Sequence, residues 1–252
     1  MNPTAVAVRN IPILDHDEAM TIAQVEYDRL LNAVGRLQPA DWAQPTDCTK
    51  WDVKALLSHL LGMVETFADQ SEQARQMTAA GSRAQETGVT FIDSLTAIQV
   101  EEHSTLTTEQ LSAALRSTAP RALQRRRAAS AEERASTYYA APPYDEEWTR
   151  GYLMDVIHTR DVWMHRIDIA RAAGSEPVLT PEHDGRIVAH AVAEWARRHG
   201  QPFNLTLRGS AGGNFIGESD QGEGYDLDAV EFCRILSGRS HGEGLLGQEV
   251  PF

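Results

Sequence analysis

The sequence predicts a mainly α protein, with a four-helix bundle followed by a small C-terminal α+β domain. Over roughly the first 170 residues, apolar side chains recur at spacings of three and four, the period of an amphipathic helix. Residues 203–208 instead alternate apolar and polar side chains, which is typical of a strand. Between these regions, Gly174 and Pro177 end the longest helical pattern and mark a change in the character of the sequence.

The predicted bundle spans 15–175 and follows an N-terminal segment, 1–14, that has two prolines and no helical period. We expect that segment to form a flexible arm. Thr49 and Asp52 resemble a capping box at the start of the second helix. The helices of the bundle, each identified from its amphipathic pattern and its caps or breakers, are predicted to begin near Asp15, Asp52, Phe91, Thr107 and Glu146.

Glycines and prolines divide this helical pattern. Residues 81–88 are expected to interrupt it, and Pro120 is expected to kink or divide the helix that contains it. Residues 140–144 predict an extended connector. The longest clean helical pattern runs over 146–173, and Gly174 is expected to end it as the residue after the helix cap.

The C-terminal domain is predicted to span 176–252. Pro181 suits the first position of a further amphipathic helix that runs to Arg198. The remaining predicted elements are a strand at 203–208, a turn at 209–213, a short strand at 214–218, a helix at 227–236 and a glycine-rich tail with a final strand.

Composition excludes several classes of protein. The net charge of −13 argues against a nucleic-acid-binding surface, and the arginines between Arg116 and Arg134 predict a solvated helix face rather than a polyanion or partner site. The two cysteines, Cys48 and Cys233, are interpreted as buried or incidental thiols and favour a reducing compartment. No apolar run is long enough for a membrane span, and the N-terminus lacks a signal-peptide pattern. We expect a cytoplasmic monomer or homodimer with no membrane or nucleic-acid partner.

One stripe of the helix at 146–173 carries side chains that can bind a metal. At 100° per residue, its polar members fall within about 80° of one another on the helical wheel: His158, Asp161, His165 and Asp168. If the second helix packs alongside, His59 converges with Asp161 and His165 and leaves open positions on a divalent ion, as a catalytic site requires. The alternative is a buried His–Asp hydrogen-bond network that only fixes the register of the bundle.

Two segments resemble the signature helices of a known family. Residues 51–62, WDVKALLSHLLG, begin with a tryptophan and carry a histidine followed by leucine and a small residue. Residues 159–169, TRDVWMHRIDI, carry the pattern acid-x-Trp-x-His-x-x-Asp. Both resemble the mycothiol-dependent maleylpyruvate isomerase family, which belongs to the DinB-like bundle superfamily. Residues 230–239, VEFCRILSGR, are similar to the end of that family's C-terminal domain, which has a sterol-carrier-like fold.

The resemblance implies a DinB-like four-helix bundle that holds a metal, usually zinc, followed by a small sterol-carrier-like α+β domain. The ligands that it implies are His59, Asp161 and His165. Asp161 stands where the family more typically has a glutamate, so either this helix must approach the metal more closely or the metal must shift. His158, one turn earlier, is an alternative ligand, and Asp168 is expected to orient a ligand imidazole.

The function that the resemblance implies is metal-dependent activation of mycothiol, a low-molecular-weight thiol, for isomerisation, conjugation or transfer on a small electrophilic substrate. Arg239 is predicted to bind a substrate carboxylate bidentately across the domain junction, and Arg208 or Arg234 could do the same. Two other functions stay open at this point. One is a non-catalytic ligand- or partner-binding protein with a degenerate metal site, and the other is a metal-dependent hydrolase that needs no thiol.

Overall fold

The computed structural model describes residues 5–142, 144–219 and 221–252, which form two compact units. One unit is His16–Pro177, and the other combines the described residues before His16 with Val178–Phe252. The first is helical apart from one hairpin, and the second contains a four-stranded sheet. The predicted fold class, mainly α with a small sheet part, is confirmed.

The elements of the first unit follow one another closely. In chain order they are α1 (His16–Val34), α2 (Val53–Ala68), α3 (Gln70–Thr87), α4 (Phe91–His103), α5 (Thr108–Ala128), α6 (Ala131–Ala135), the hairpin strands Thr137–Ala140 and Glu146–Thr149, α7 (Arg150–Tyr152), a single π turn (Leu153–Ile157) and α8 (His158–Ala172).

Four of these helices close a bundle. Helix α1 packs against α5 and α8, and α2 packs against the same two helices, so each helix of the ring has two neighbours. Helices α3 and α4 pack against each other and against α2. Apolar side chains at helical spacing fill the interior of the bundle, among them Leu56, Leu60, Leu111, Leu115 and Trp163.

Several local expectations for this unit differ from the structure, and at Pro120 the expected division of the helix does not occur. Helix α3 continues through Gly81 to end at Gly88, which has the left-handed φ of 72°. Helix α5 likewise continues through Pro120. In both cases packing against neighbouring helices outweighs a weak intrinsic helix propensity. The predicted connector, of which Pro143 lies outside the described residues, is part of a hairpin in which Tyr138 pairs with Trp148.

The first residues of the long predicted helix are therefore a strand, and the helix begins at Arg150. Thr149 caps it, because its side chain accepts from the backbone N–H of Tyr152. The π turn at Leu153–Ile157 adds one residue to a helical turn and shifts the phase of the residues after it. The phase is regular again throughout α8, which carries the polar stripe.

The two hairpin strands of the first unit are β2 and β3. The second unit contains the strands β1 (Val6–Ala7), β4 (Phe203–Arg208), β5 (Gly213–Ile216) and β6 (Glu223–Asp228). They form one sheet with the strand order β1-β5-β4-β6. Strand β4 pairs antiparallel with β5 and parallel with β6. Helices α9 (Asp184–His199) and α10 (Ala229–Leu236) pack against this sheet and against each other.

Within this unit, β4, β5 and α10 lie close to their predicted positions, whereas β6 was not predicted. Helix α9 begins after His183, so Pro181 precedes it instead of occupying its first turn. Among the described residues of the tail, Gly244–Gly247 forms a 3-10 turn where a strand was predicted.

Part of the segment 1–14, for which a flexible arm was predicted, pairs with the sheet of the second unit. Val6 and Ala7 pair in parallel with Phe215 and Ile216 and so extend the sheet of the second unit. Further along, the carbonyl of Pro12 accepts a hydrogen bond from Arg186 at 3.0 Å. A two-residue strand is too short to show alternation, so its pairing could not be read from the sequence. In the described part of the chain, no helix is both long and apolar enough to cross a membrane.

Candidate metal centre

Helix α2 presents His59 to the bundle interior. The helix begins at Asp52, whose carboxylate accepts from the backbone N–H of Ala55 at 2.8 Å. The predicted capping box with Thr49 was therefore wrong, because Asp52 is itself the N-cap. Further along α2, the His59 side chain is only 8% exposed.

Helix α8 brings two more candidate ligands to the same point. Asp161 and His165 lie one turn apart, and Oδ1 of Asp161 is 3.3 Å from Nε2 of His165. The other oxygen, Oδ2, is 3.8 Å from Nε2 of His59. One ligand atom from each of the three side chains lies within 4.8 Å of the other two, which is close enough for the three to hold a single ion. The three ligands that the resemblance implies are thus brought together.

Asp168 fixes the orientation of His165. The Nδ1–H group of His165 donates to Oδ2 of Asp168 at 2.9 Å, and the Asp168 side chain is fully buried. This assignment of the proton follows from the partner, since a carboxylate only accepts. In the neutral ring, which is the form that binds a metal, this leaves the lone pair on Nε2, the nitrogen that faces Asp161. The arrangement is that of the carboxylate–histidine pairs that support metal ligands.

Electrostatics couple the cluster tightly. Burial disfavours the charged form of His165, but Asp161 and Asp168 outweigh it and raise the pKa of His165 well above its usual value. Burial also disfavours an ionised Asp161, but His165 and His59 outweigh it and hold the pKa of Asp161 well below its usual value. The carboxylate is therefore ionised at neutral pH, as a metal ligand must be.

One carboxylate oxygen of the cluster lacks a hydrogen-bond partner among the described residues. Oδ2 of Asp161 is buried, and no hydrogen-bond donor reaches it from the described residues. The 3.8 Å to His59 is too long for a hydrogen bond. An unpartnered buried carboxylate oxygen is costly, and a cation at this point would satisfy it. The donor set of two imidazole nitrogens and a carboxylate fits zinc.

Two further side chains border the cluster. The Trp51 ring lies against His59, with their centroids 5.0 Å apart, and is 6.4 Å from the ring of His165. Cys48, which was interpreted as buried or incidental, has its Sγ atom 3.8 Å from Asp168 and 4.0 Å from Nδ1 of His165. The thiol therefore lies behind His165, on the side opposite Asp161. Nothing in the local sequence around Cys48 indicated this position, because it depends on how the segment between α1 and α2 packs against α8.

His158 does not join this cluster. Its Nε2 atom lies 2.6 Å from the hydroxyl of Tyr27, and its Nδ1 atom lies 3.1 Å from the sulfur of Met63. Its ring also packs on Phe67, with centroids 3.9 Å apart. Burial, together with the nearby Arg126, lowers the pKa of His158 well below its usual value. With both ring nitrogens engaged, His158 belongs to the core of the bundle.

Arg126 is an exception to the predicted solvated arginine face. It is completely buried, and it donates to the hydroxyl of Thr159 at 2.7 Å and to the carbonyl of Met154. Burial lowers the pKa of Arg126. These two hydrogen bonds tie Arg126 to the segment around the π turn, because Met154 lies within that turn and Thr159 follows it.

Arg239 lies in the second unit, just after α10. It lines a cleft of about 480 Å³ together with His241 and Glu249. Of the two alternatives, Arg234 is buried and 3.4 Å from Glu231, and Arg208 is exposed and paired with Asp226 at 3.2 Å. The role of Arg239 stays a prediction.

The comparison with protein families identifies the first unit. The model of the mycothiol maleylpyruvate isomerase N-terminal domain matches residues 23–170. The chain belongs to this family. The matched segment includes all three clustered residues, His59, Asp161 and His165, whereas Arg239 lies outside it.

Solved structures share the fold over almost the whole chain. A mycothiol-dependent maleylpyruvate isomerase and a histidine-to-alanine mutant of a protein with the same name each have a TM-score of 0.58 and 14% sequence identity. Each match covers 93% of this chain and 92% of the other. At that identity the likeness shows the fold alone. No curated protein sequence matches the chain.

Proposed function

We propose that the chain is a metal-dependent enzyme that activates a low-molecular-weight thiol, mycothiol, for isomerisation or transfer on a small electrophilic substrate. The observation that carries the proposal is the convergence of two imidazole Nε2 atoms on Asp161, whose Oδ2 atom has no hydrogen-bond partner among the described residues. Membership of the family supports the choice of thiol, and maleylpyruvate is the first substrate to test.

Each clustered residue has a defined part in this proposal. His59, Asp161 and His165 would hold the ion, and Asp168 keeps the His165 ring turned so that Nε2 faces it. A divalent ion held there supplies a positive charge that favours a thiolate over a thiol near neutral pH. The Asp161 side chain is 20% exposed, whereas His165 is 5% exposed, so small molecules would reach the cluster from the side of Asp161.

For Arg239 we propose that its guanidinium binds a carboxylate of the substrate in a bidentate manner. Arg239→Lys keeps the charge but loses the paired donors, so KM for a carboxylate substrate is expected to rise at least about tenfold, the effect of losing roughly 1.4 kcal/mol. Arg208→Lys, at an exposed position of the same unit, is the matched control and should leave KM unchanged. Equal KM values for Arg239→Lys and the parent would contradict this role.

The first experiment is elemental analysis of the protein as purified, beside His59→Ala/His165→Ala and His158→Ala variants. We expect close to one zinc per chain in the parent and in His158→Ala, and none in the double variant, whose aliphatic bundle core should still fold. Full metal in the double variant would overturn the ligand assignment. Loss of metal in a folded His158→Ala protein would make His158 a ligand instead.

The second experiment tests the thiol. Addition of mycothiol to the metal-loaded parent should release protons, because the bound form is the thiolate, and turnover of maleylpyruvate should require both metal and mycothiol. Metal-dependent turnover of an ester or amide without any thiol would instead identify a hydrolase. A parent that binds no metal after reconstitution would identify the cluster as a structural His–Asp network and favour a ligand- or partner-binding protein.

A further inference from the structure

A buried chain of hydrogen bonds runs from His59 through two helices outside the four-helix ring. Nδ1 of His59 lies 2.7 Å from Oε1 of Gln99 on α4. Nε2 of Gln99 donates to Oε1 of Gln76 on α3 at 2.9 Å. Nε2 of Gln76 in turn donates to the carbonyl of Gly62 at 3.1 Å and to the carboxylate of Glu72 at 2.8 Å. Gln76 and Gln99 are 0% and 2% exposed, so water cannot replace these partners.

The groups at the far end of this series of hydrogen bonds determine which side-chain atoms donate and which accept. A backbone carbonyl and a carboxylate can only accept, so the nitrogen of the Gln76 amide must face them and its oxygen must face Gln99. Gln99 must then donate to Gln76, which turns its own oxygen towards His59. Arg75 keeps Glu72 in the accepting form, because its hydrogen bonds hold the pKa of Glu72 below the usual value.

These hydrogen bonds determine the tautomer of His59 in the metal cluster. Because the partner at Nδ1 of His59 is an oxygen that only accepts, Nδ1 must carry the proton. The neutral ring then has a bare lone pair at Nε2, the nitrogen that faces Asp161. An imidazole with the opposite tautomer could not bind a metal through Nε2.

A glycine makes this contact possible. A Cβ atom at Gly62 would lie 2.6 Å from Cγ and 2.7 Å from Cβ of Gln99, and 3.2 Å from its Cα. The first two distances are shorter than real Cβ contacts, the third is tighter than most of them, and the Cα belongs to the backbone of α4. Only glycine therefore lets α4 come close enough to α2, one turn past His59, for the Gln99 amide to reach the imidazole.

From this geometry we infer that Gln99 is a positioning residue for the metal site, which fixes the tautomer and ring orientation of His59 through an amide whose direction is set by Gln76. Gly62 provides the space for it. The inference rests on the proposed function, because it assigns Gln99 a part in metal binding. Gln99 acts through His59 and does not itself contact the ion.

The test compares metal affinity in three variants, measured by competition between the purified protein and a chelator for Zn²⁺ or Co²⁺. Gln99→Leu removes the acceptor and is expected to weaken binding about 10- to 100-fold, the usual effect of losing the partner of a ligand imidazole. Gln99→Glu keeps an acceptor for Nδ1–H, and its protonated carboxyl can still donate to Oε1 of Gln76, so this variant should keep an affinity within a few-fold of the parent. Gln85→Leu, at an exposed position on α3, is the matched control.

A second pair of variants tests the role of the glycine. Gly62→Ala should displace Gln99 and weaken metal binding to a similar degree. Gly81→Ala is its control, since nothing lies within 4 Å of a Cβ at that helical position. Thermal unfolding of each metal-free variant shows whether it is folded before its affinity is compared. Parent-like affinity in a folded Gln99→Leu protein would overturn the inference.

A readout without metal separates this inference from the proposed function. Nitrogen NMR of the metal-free parent, at a pH where the imidazole is neutral, should show the proton of His59 on Nδ1, and Gln99→Leu should lose that preference. A proton on Nε2 in the parent would overturn the inference even if the protein binds metal. If the parent binds no metal but shows the Nδ1 proton and its loss in Gln99→Leu, the metal function fails while the positioning of His59 by Gln99 stands.

Discussion

Cys48 and Asp161 lie on opposite sides of one imidazole. Sγ of Cys48 is 4.0 Å from Nδ1 of His165, and Oδ1 of Asp161 is 3.3 Å from Nε2. Cys48, His165 and Asp168 could together hold an ion on the Nδ1 side, since their ligand atoms also lie within 4.8 Å of one another. The hydrogen bond from Nδ1 to Asp168 occupies that nitrogen, however, so we expect the ion on the Nε2 side.

Cobalt spectroscopy distinguishes these two positions. Before any thiol is added, Co²⁺-loaded parent and Cys48→Ser proteins should have the same absorption spectrum, without the near-ultraviolet band of a thiolate ligand. Cys233→Ser, which changes the buried cysteine of the other unit, is the control. A thiolate band that disappears only in Cys48→Ser would place the ion beside Cys48 and contradict the ligand set of His59, Asp161 and His165.

Residue types and spacing predicted the polar stripe of α8, but they predicted only some of the side chains that contact it. The separation of four between Asp161 and His165 places them on one helical face whatever the tertiary structure, and Asp168 falls on the same stripe. Gln99 could not be identified in this way. It lies 40 residues from His59 on a different helix, and their contact depends on the approach of α4 to Gly62.

At the scale of the element, the start of α2 determines where His59 points. Asp52 caps this helix through the N–H group of Ala55, and Thr49 has no part in the cap. Asp52→Ala should lower the free energy of unfolding by about 1 kcal/mol, the usual effect of losing a cap, whereas Asp52→Asn should retain most of it. Thr49→Ala should change it by less than about 0.5 kcal/mol. Urea unfolding of the metal-free proteins measures this, and equal losses for Asp52→Ala and Thr49→Ala would contradict the assignment.

The end of α4 predicts a pH dependence of stability. Nε2 of His103 lies 3.1 Å from Glu65 on α2, and Nδ1 lies 2.7 Å from the carbonyl of Gln99. Burial disfavours the charged imidazole, but Glu65 and this carbonyl outweigh it and raise the pKa of His103 above the usual 6.5. The protonated form is therefore favoured by folding. Its stabilisation is complete below about pH 6.5 and is lost as the pH rises through the folded-state pKa.

His103→Gln should accordingly lower stability more at about pH 6 than at about pH 9, with a difference of roughly 0.5–1 kcal/mol for a partly exposed pair. Chemical unfolding of the metal-free protein at both pH values checks this. The exposed His241→Gln is the control and should show no such pH-dependent difference. A larger loss at the higher pH would contradict the sign.

At the scale of the whole molecule, the chain begins in one unit, crosses to the other and returns. Strand β1 pairs with β5, but the first α-helix, α1, belongs to the bundle. Deletion of residues 1–14 should leave β5 as an edge strand and raise its amide hydrogen exchange about tenfold, while β6 at the opposite edge serves as the internal control. Metal content should not change, because all three proposed ligands lie in the other unit. Unchanged exchange in β5 would contradict this assignment.

Local sequence patterns were enough to predict the fold class, the approximate positions of α1, α2, α8 and β4, and the single face that carries Asp161, His165 and Asp168. These features follow from local periodicity, which depends only on the geometry of one helix or strand. The start of α5 near Thr107 was also predicted from the local sequence, and in the structure Thr107 and Gln110 form a capping box there.

The side chains that lie opposite that face depend on the tertiary structure. Contacts between segments distant in the sequence place Cys48 beside His165 and Gln99 beside His59, and they bury the unpartnered oxygen of Asp161. The strands at 6–7, 137–140 and 223–228 likewise exist because partners elsewhere in the chain complete their hydrogen bonds. A strand needs a neighbour, and a metal site needs several helices in register, so neither can be read from a single stretch of sequence.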